Sequence, residues 1–252
     1  MDGVLPILAA SAFGQARDPV LLRVDSITKQ YADQAVLSDV AFDVLAGEIL
    51  GIIGPNGAGK TTLLEALAGV LPAETNDVRW RGERLPASRR REAMFYLPDG
   101  VRPYLDQPVT RVLSFFGSVY RRSTDEIAHA IDSVGLTPVL RKRVHSLSKG
   151  YGRRLMLVLG LLTPHPLLLM DEPFDGFDLR QFRAIVDVLR REAIEGRTLV
   201  LAIHQLSDAE RVCDRFVLLA DGRVCGVGTL NDLRARTGIS EGSLEDIFLA
   251  LT

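Results

Sequence analysis

The chain has 252 residues, 25% of them charged and 47% hydrophobic, with a formal net charge of −2. That length and balance fit one large domain, or a domain carrying an inserted lobe, around a sizeable core, and the bulk charge gives no sign of a nucleic-acid binder. Only 4 of the 30 basic residues are lysine, and the two cysteines, Cys213 and Cys225, are too few for a disulfide framework and fit no metal spacing, so free thiols are expected.

In chain order, residues 1–18 read as a poorly ordered tail. Residues 1–13 are mildly apolar but lack a basic leading region, so no secretory signal is expected. No apolar run approaches the roughly 18 residues of a membrane span, so the chain is not expected to cross a bilayer, although it could dock on one that does. Residues 20–44 show short alternating apolar stretches, which predict strands at a sheet edge. Residues 47–53 read as a buried strand, followed by a glycine-rich turn and a helix over 63–68 that stops near Gly69. Residues 75–95, polar and arginine-rich around Trp80, read as strand and turn.

From about residue 98 to 163 the pattern turns helical, with helices at 110–120, 124–134 and 151–162; this predicts an inserted helical subdomain. The sheet then resumes. Residues 167–170 and 199–203 are near-continuous apolar runs, as in parallel strands covered on both faces, and a helix over 179–193 between them makes a βαβ unit. Asp221-Gly222 predicts a hairpin turn between strands at 216–219 and 223–227, and two short helices close the chain. The basic stretches 88–91 and 141–143 read as solvated surface, and His129, His145 and His165 as surface or packing residues.

Two stretches carry chemistry. Gly54-Pro55-Asn56-Gly57-Ala58-Gly59-Lys60-Thr61-Thr62 fits G-x-x-x-x-G-K-[ST] between a predicted strand and a predicted helix. Glycines let the backbone turn its N–H groups around phosphate oxygens, and the helix N-terminus adds the positive end of its dipole. Lys60 is expected to reach the β- and γ-phosphates, and Thr61 to ligate Mg²⁺. The apolar run 167–170 ends in Asp171-Glu172. A carboxylate at such a strand tip can hold Mg²⁺ through water, which assigns Asp171, while Glu172 can orient or deprotonate the attacking water.

With these two motifs in place, the chain resembles the nucleotide-binding subunits of ABC transporters, from about residue 20 to its end. The resemblance implies an α/β fold: a P-loop NTPase (RecA-like) core over 19–252, with an antiparallel β edge subdomain and an inserted α-helical subdomain at about 98–163. It implies that Tyr31 stacks on adenine. Leu147-Ser148-Lys149-Gly150-Tyr151 occupies the place of the family signature, where Ser148, Lys149 and Gly150 would face the nucleotide of a second subunit; Lys149 and Tyr151 depart from the usual glycine and glutamine. Asp178 matches the aspartate that couples the two sites, and His204 the histidine that contacts the γ-phosphate. Asp99 stands where the family usually presents a Mg²⁺-ligating glutamine; a carboxylate is a sound Mg²⁺ ligand but adds negative charge. The signature variant and residues 243–252 are similar to those of ABC-2-type exporter ATPases.

The implied activity is ATP hydrolysis coupled to transport, with ATP and Mg²⁺. The implied partners are a second ABC ATPase subunit and transmembrane permease subunits, which place the chain at the cytoplasmic face of the cell membrane. The competing expectation is a soluble ATPase of an assembly system, for example iron–sulfur cluster assembly; a weaker one, resting on Asp99, is a protein that binds ATP without cycling.

Overall fold

The computed structural model describes residues 20–252; the predicted tail lies outside them. Strands β1 (Val20–Tyr31) and β2 (Gln34–Leu45) form a long antiparallel ribbon, followed by β3 (Ile49–Ile53), α1 (Lys60–Ala68), β4 (Thr75–Trp80), β5 (Glu83–Arg84) and β6 (Met94–Leu97). Helices α2 (Val109–Val119), α3 (Thr124–Ser133) and α4 (Lys149–Leu162) come next and pack on one another. The chain then runs through β7 (Leu167–Asp171), α5 (Leu179–Ile194), β8 (Thr198–Ile203), α6 (Leu206–Val212), β9 (Arg215–Ala220), β10 (Arg223–Gly228), α7 (Leu230–Thr237) and α8 (Leu244–Leu251).

Two sheets result. The edge sheet has the order β2-β1-β4-β5 and is antiparallel. The central sheet has the order β10-β9-β3-β8-β7-β6 and is parallel except for β10, which folds back on β9 through Asp221 and Gly222, both at positive φ. Alternate residues of the central strands feed two cores. Leu50, Ile52, Leu169 and Val200 pack with α1 and the inner face of the edge sheet. Ile49, Ile53, Met170 and Leu201 pack with the helices on the opposite face. Both faces are covered, which is why these strands read as unbroken apolar runs.

The structure differs from the sequence expectation in four places, each for a physical reason. The alternation in 20–44 looked like short strands because the β1–β2 register slips repeatedly, with Asp39 at φ 50 inside β2. The end of the 75–95 stretch opens β6, which runs on to Leu97, pairs parallel with β7 at the edge of the central sheet and is too short to show a period. Helix α6, seven residues long, escapes for the same reason. Within the 88–91 stretch, Arg90 is wholly buried rather than solvated. Its guanidinium donates to Ala66 O (2.7 Å), Asn76 O (3.0 Å), Leu67 O (3.3 Å) and Leu85 O (3.4 Å). At the end of α1, Ala66 O also accepts from Gly69 N (3.1 Å) and Asn76 Nδ2 (2.9 Å), while Arg90 is the donor to Leu67 O; burial lowers the Arg90 pKa to about 10. Arg141, Lys142 and Arg143 are exposed as expected, as are His129 and His145. His165 is a packing residue, buried against Phe95 and Tyr120 with Nε2 2.9 Å from Arg91 O. Both cysteines are free thiols, Cys213 buried.

For function, what matters is that β3, β8, β7 and β6 are neighbours running the same way, with Ile53 opposite Ile203, Asp171 opposite Ala202 and Leu97 opposite Met170. The residues just past these strands therefore meet along one edge of the sheet, where ligands of open parallel sheets bind.

Candidate functional site

The loop 54–59 leaves β3 at the centre of that edge. Gly57 and Gly59 adopt φ 84 and 100. A Cβ on Gly59 would also lie 2.8 Å from Leu37 Cδ2, and one on Gly54 only 2.1 Å from Leu219 O, so neither position accepts a side chain. Gly59 precedes α1, whose first turn has no side-chain cap, leaving its N–H groups directed at the loop. Lys60 is buried; its Nζ donates to Gly54 O (2.7 Å) and Pro55 O (3.1 Å). Burial lowers its pKa, against the opposing pull of Glu172 and Asp171. A buried ammonium on two neutral carbonyls, beside a helix N-terminus, is a site in need of an anion.

Thr61 extends from the same turn and donates from Oγ1 to Asp171 Oδ2 at 2.7 Å. Asp171 ends β7 and is 3% exposed; its other oxygen, Oδ1, is buried without a partner. Burial raises the Asp171 pKa, the Thr61 hydrogen bond opposing it. An orphaned carboxylate oxygen beside a hydroxyl suits a hard divalent cation. Among the described residues no three acidic, histidine or cysteine side chains are preassembled for a metal, so such a cation would draw its other ligands from phosphate and water.

Glu172 follows directly, at φ 48, with its N–H on Ala202 O (3.0 Å). Left-handed backbone in a non-glycine residue is held only where its surroundings fix it. Its Oε2 lies 2.6 Å from Nδ1 of His204, the residue after β8. The pair borders a cavity of about 240 Å³ that Asp178, Gln205 and Asp208 also line.

The remaining expected residues fall into two groups. Asp99, past β6, is exposed and accepts from Arg153 Nη2 at 2.6 Å, near enough to Asp171 to raise its pKa. Ser148, Lys149 and Gly150, at the start of α4, gather with the loop 173–178 of their own chain. Ser148 Oγ caps α4 by accepting from Tyr151 N (3.4 Å), Lys149 Nζ donates to Asp175 Oδ2 (2.5 Å), and Gly150 lies against Gly176 O. Asp178 caps α5 through Oδ1, which accepts from Gln181 N (2.8 Å). Tyr31 ends β1, half exposed, with Lys29 Nζ 4.9 Å from its ring centre. Lys60, Thr61, Asp171, Glu172 and His204 are thus assembled, with Asp99 at their border.

Two residues of this edge escaped the sequence reading, Arg153 and Asp175. The signal was the spacing: Arg153 follows Lys149 by one helical turn, so both reach the same loop from one face of α4.

Residues 37–175 match the ABC transporter family. An uncharacterized ABC transporter ATP-binding protein of Methanocaldococcus jannaschii is 33% identical over 84% of this chain and 79% of that protein. The Nod factor export ATP-binding protein I of Rhizobium meliloti is 36% identical over 86% of this chain and 67% of that protein. A solved structure of the ATP binding subunit of an ABC transporter superposes with a TM-score of 0.83 at 31% identity, covering 92% of this chain and 99% of that one.

Proposed function

The chain belongs to the ABC transporter family as an ATP-binding, ATP-hydrolysing subunit, and from that premise we propose the roles of its residues, its assembly and its direction of transport. Loop 54–62 wraps the triphosphate and Lys60 lies along its β- and γ-phosphates. Glu172 takes a proton from the water whose oxygen attacks the γ-phosphorus, and ADP departs with the bridging oxygen. His204, on Glu172, fixes that carboxylate and reaches the γ-phosphate. Tyr31 stacks on the adenine from the edge sheet. The observation that carries this reading is the 2.6 Å pair of Glu172 and His204 beside the buried Lys60.

The residues fit Mg²⁺. Thr61, Asp171 and Asp99 would hold it, and the ion would neutralise charge on the phosphate oxygens.

Ser148, Lys149 and Gly150 sit at the exposed start of a capped helix, a geometry suited to phosphate on a facing subunit. We assign them, with Asp178, to the site of a second ABC ATPase subunit, so that two chains close on two ATP molecules. Among the described residues no helix is long and apolar enough to cross a membrane. We assign coupling to transport to transmembrane permease subunits that hold this chain at the cytoplasmic face. Similarity to a Nod factor export ATP-binding protein supports export. The test is purification of the tagged chain from detergent-solubilised membranes of its host, with mass spectrometry of what accompanies it. A multi-span membrane protein in near-equal amount is expected; a soluble partner alone would overturn the transporter assembly in favour of a soluble assembly ATPase.

A further inference from the structure

Arg153 lies on the second turn of α4, and its side chain is only 10% exposed. Its guanidinium is shared among three segments. Nη2 donates to Asp99 Oδ1 at 2.6 Å and to Asp175 Oδ2 at 3.3 Å, Nε to Asp175 O at 3.0 Å, and Nη1 to Asp171 O at 3.2 Å. That last carbonyl belongs to the peptide group joining Asp171 to Glu172. The N–H of the same peptide group is held by Ala202 O on β8 at 3.0 Å. Both polar ends of that peptide plane are therefore tied, and on the other side of the residue Glu172 O accepts from Asp175 N at 3.3 Å, so the backbone on either side of Glu172 is held where φ is 48 and its carboxylate meets His204.

We propose that Arg153 is a positioning residue of the ATPase reaction, the single group that holds the Asp99 loop, the peptide before Glu172 and the Asp175 loop in one arrangement. This inference rests on the reading of Glu172 as base and Asp99 as cation ligand. The guanidinium on Asp99 Oδ1 sets a positive charge beside the carboxylate that would hold the cation, so the ion pair and a divalent cation compete for the same negative charge. Cation binding therefore draws on that ion pair, and the state of the Asp99 loop is communicated to the backbone under Glu172 through one planar group. A lysine cannot substitute, since its ammonium lacks the fork that reaches carboxylates and carbonyls in different segments together. Lys149, one turn earlier, shares Asp175 with Arg153, so the Asp175 loop stays anchored to α4 when Asp99 leaves.

The test compares Arg153→Ala and Arg153→Gln, each with and without Asp99→Asn, by the Mg²⁺ concentration that half-saturates binding of a fluorescent ATP analogue, and by steady-state turnover. Removing the guanidinium frees Asp99, so the Mg²⁺ half-point is expected to fall about three- to tenfold in either variant, the range set by one partly exposed, charge-assisted pair. In the Asp99→Asn background that shift is expected to vanish. Turnover by Arg153→Ala is expected to fall on the order of 100-fold with KM for ATP within about threefold, the signature of a misplaced base rather than lost binding. Arg153→Gln, which retains a donor for Asp171 O, is expected to lose less turnover. An unshifted Mg²⁺ half-point in folded variants, or a shift that persists without Asp99, would overturn the proposal. If wild-type binding showed no dependence on Mg²⁺, or Glu172→Gln kept full turnover, the site reading itself would fall, a result distinct from failure of the Arg153 variants alone.

Discussion

His204 Nδ1 lies 2.6 Å from Glu172 Oε2, joining the ends of two adjacent parallel strands. The carboxylate hangs from a backbone at φ 48, so the imidazole supplies the side-chain half of its positioning. His204→Ala is expected to lower turnover about 100-fold while KM for ATP changes less than about threefold. His204→Gln, which retains a hydrogen-bonding group, is expected to recover part of the loss. Steady-state phosphate release across an ATP titration checks both.

Thr61 and Asp171 make a prediction about the cation. Thr61→Val keeps the shape of the side chain but removes the hydroxyl that donates to Asp171 Oδ2. Apparent Mg²⁺ affinity in the presence of nucleotide is expected to fall roughly 10- to 100-fold, the usual cost of disturbing a ligand and its orienting partner together. Isothermal titration with Mg²⁺ at saturating nucleotide checks it, and nucleotide binding in EDTA should change much less.

Arg90 separates stability from chemistry. Its guanidinium bonds four backbone carbonyls in a wholly buried position away from loop 54–62. Arg90→Met is expected to destabilise the fold by about 2–4 kcal/mol, because the carbonyls of Leu67 and Leu85 lose the guanidinium, while Ala66 O keeps Gly69 N and Asn76 Nδ2. Urea unfolding gives the loss, and turnover per folded molecule at low temperature should stay within about twofold of wild type.

Asp175 predicts a pH dependence with a definite sign. The Lys149 hydrogen bond, reinforced by Arg153, holds its carboxyl below the usual carboxylate range. The folded pKa lies below the unfolded value of about 3.9, so its stabilisation is fully present above that value and lost as pH falls through the lower folded one. The group is partly exposed, and the effect at neutral pH is expected to be below about 1 kcal/mol. Wild type should therefore melt slightly above Asp175→Asn at pH 7, with the gap closing below about pH 4. A gap that widens in acid would contradict the assignment.

The motif residues were legible because their chemistry is local in sequence. Loop 54–62 announces itself through glycines that only a cramped, left-handed turn requires, and Asp171-Glu172 and His204 mark the tips of apolar runs. Their meeting follows from a parallel sheet that places those tips side by side. The parts that escaped depend on distant partners. The burial of Arg90 is set by the carbonyls ending α1, and β6 is a strand only because β7 pairs with it. The one-turn spacing from Lys149 puts Arg153 on the face of α4 toward the Asp175 loop, but only the fold brings Asp171 O to Arg153 and Gly135 O to its neighbour Arg154.

The measurement that bears most directly on the central claim is phosphate release from ATP by wild type and Glu172→Gln, with nucleotide affinity measured on the same samples. Wild type is expected to turn over ATP in the presence of Mg²⁺, and Glu172→Gln to lose about 100- to 1,000-fold in rate while binding ATP within about threefold of wild type. Hydrolysis by Glu172→Gln at the wild-type rate would remove Glu172 from its role and contradict the account of the site.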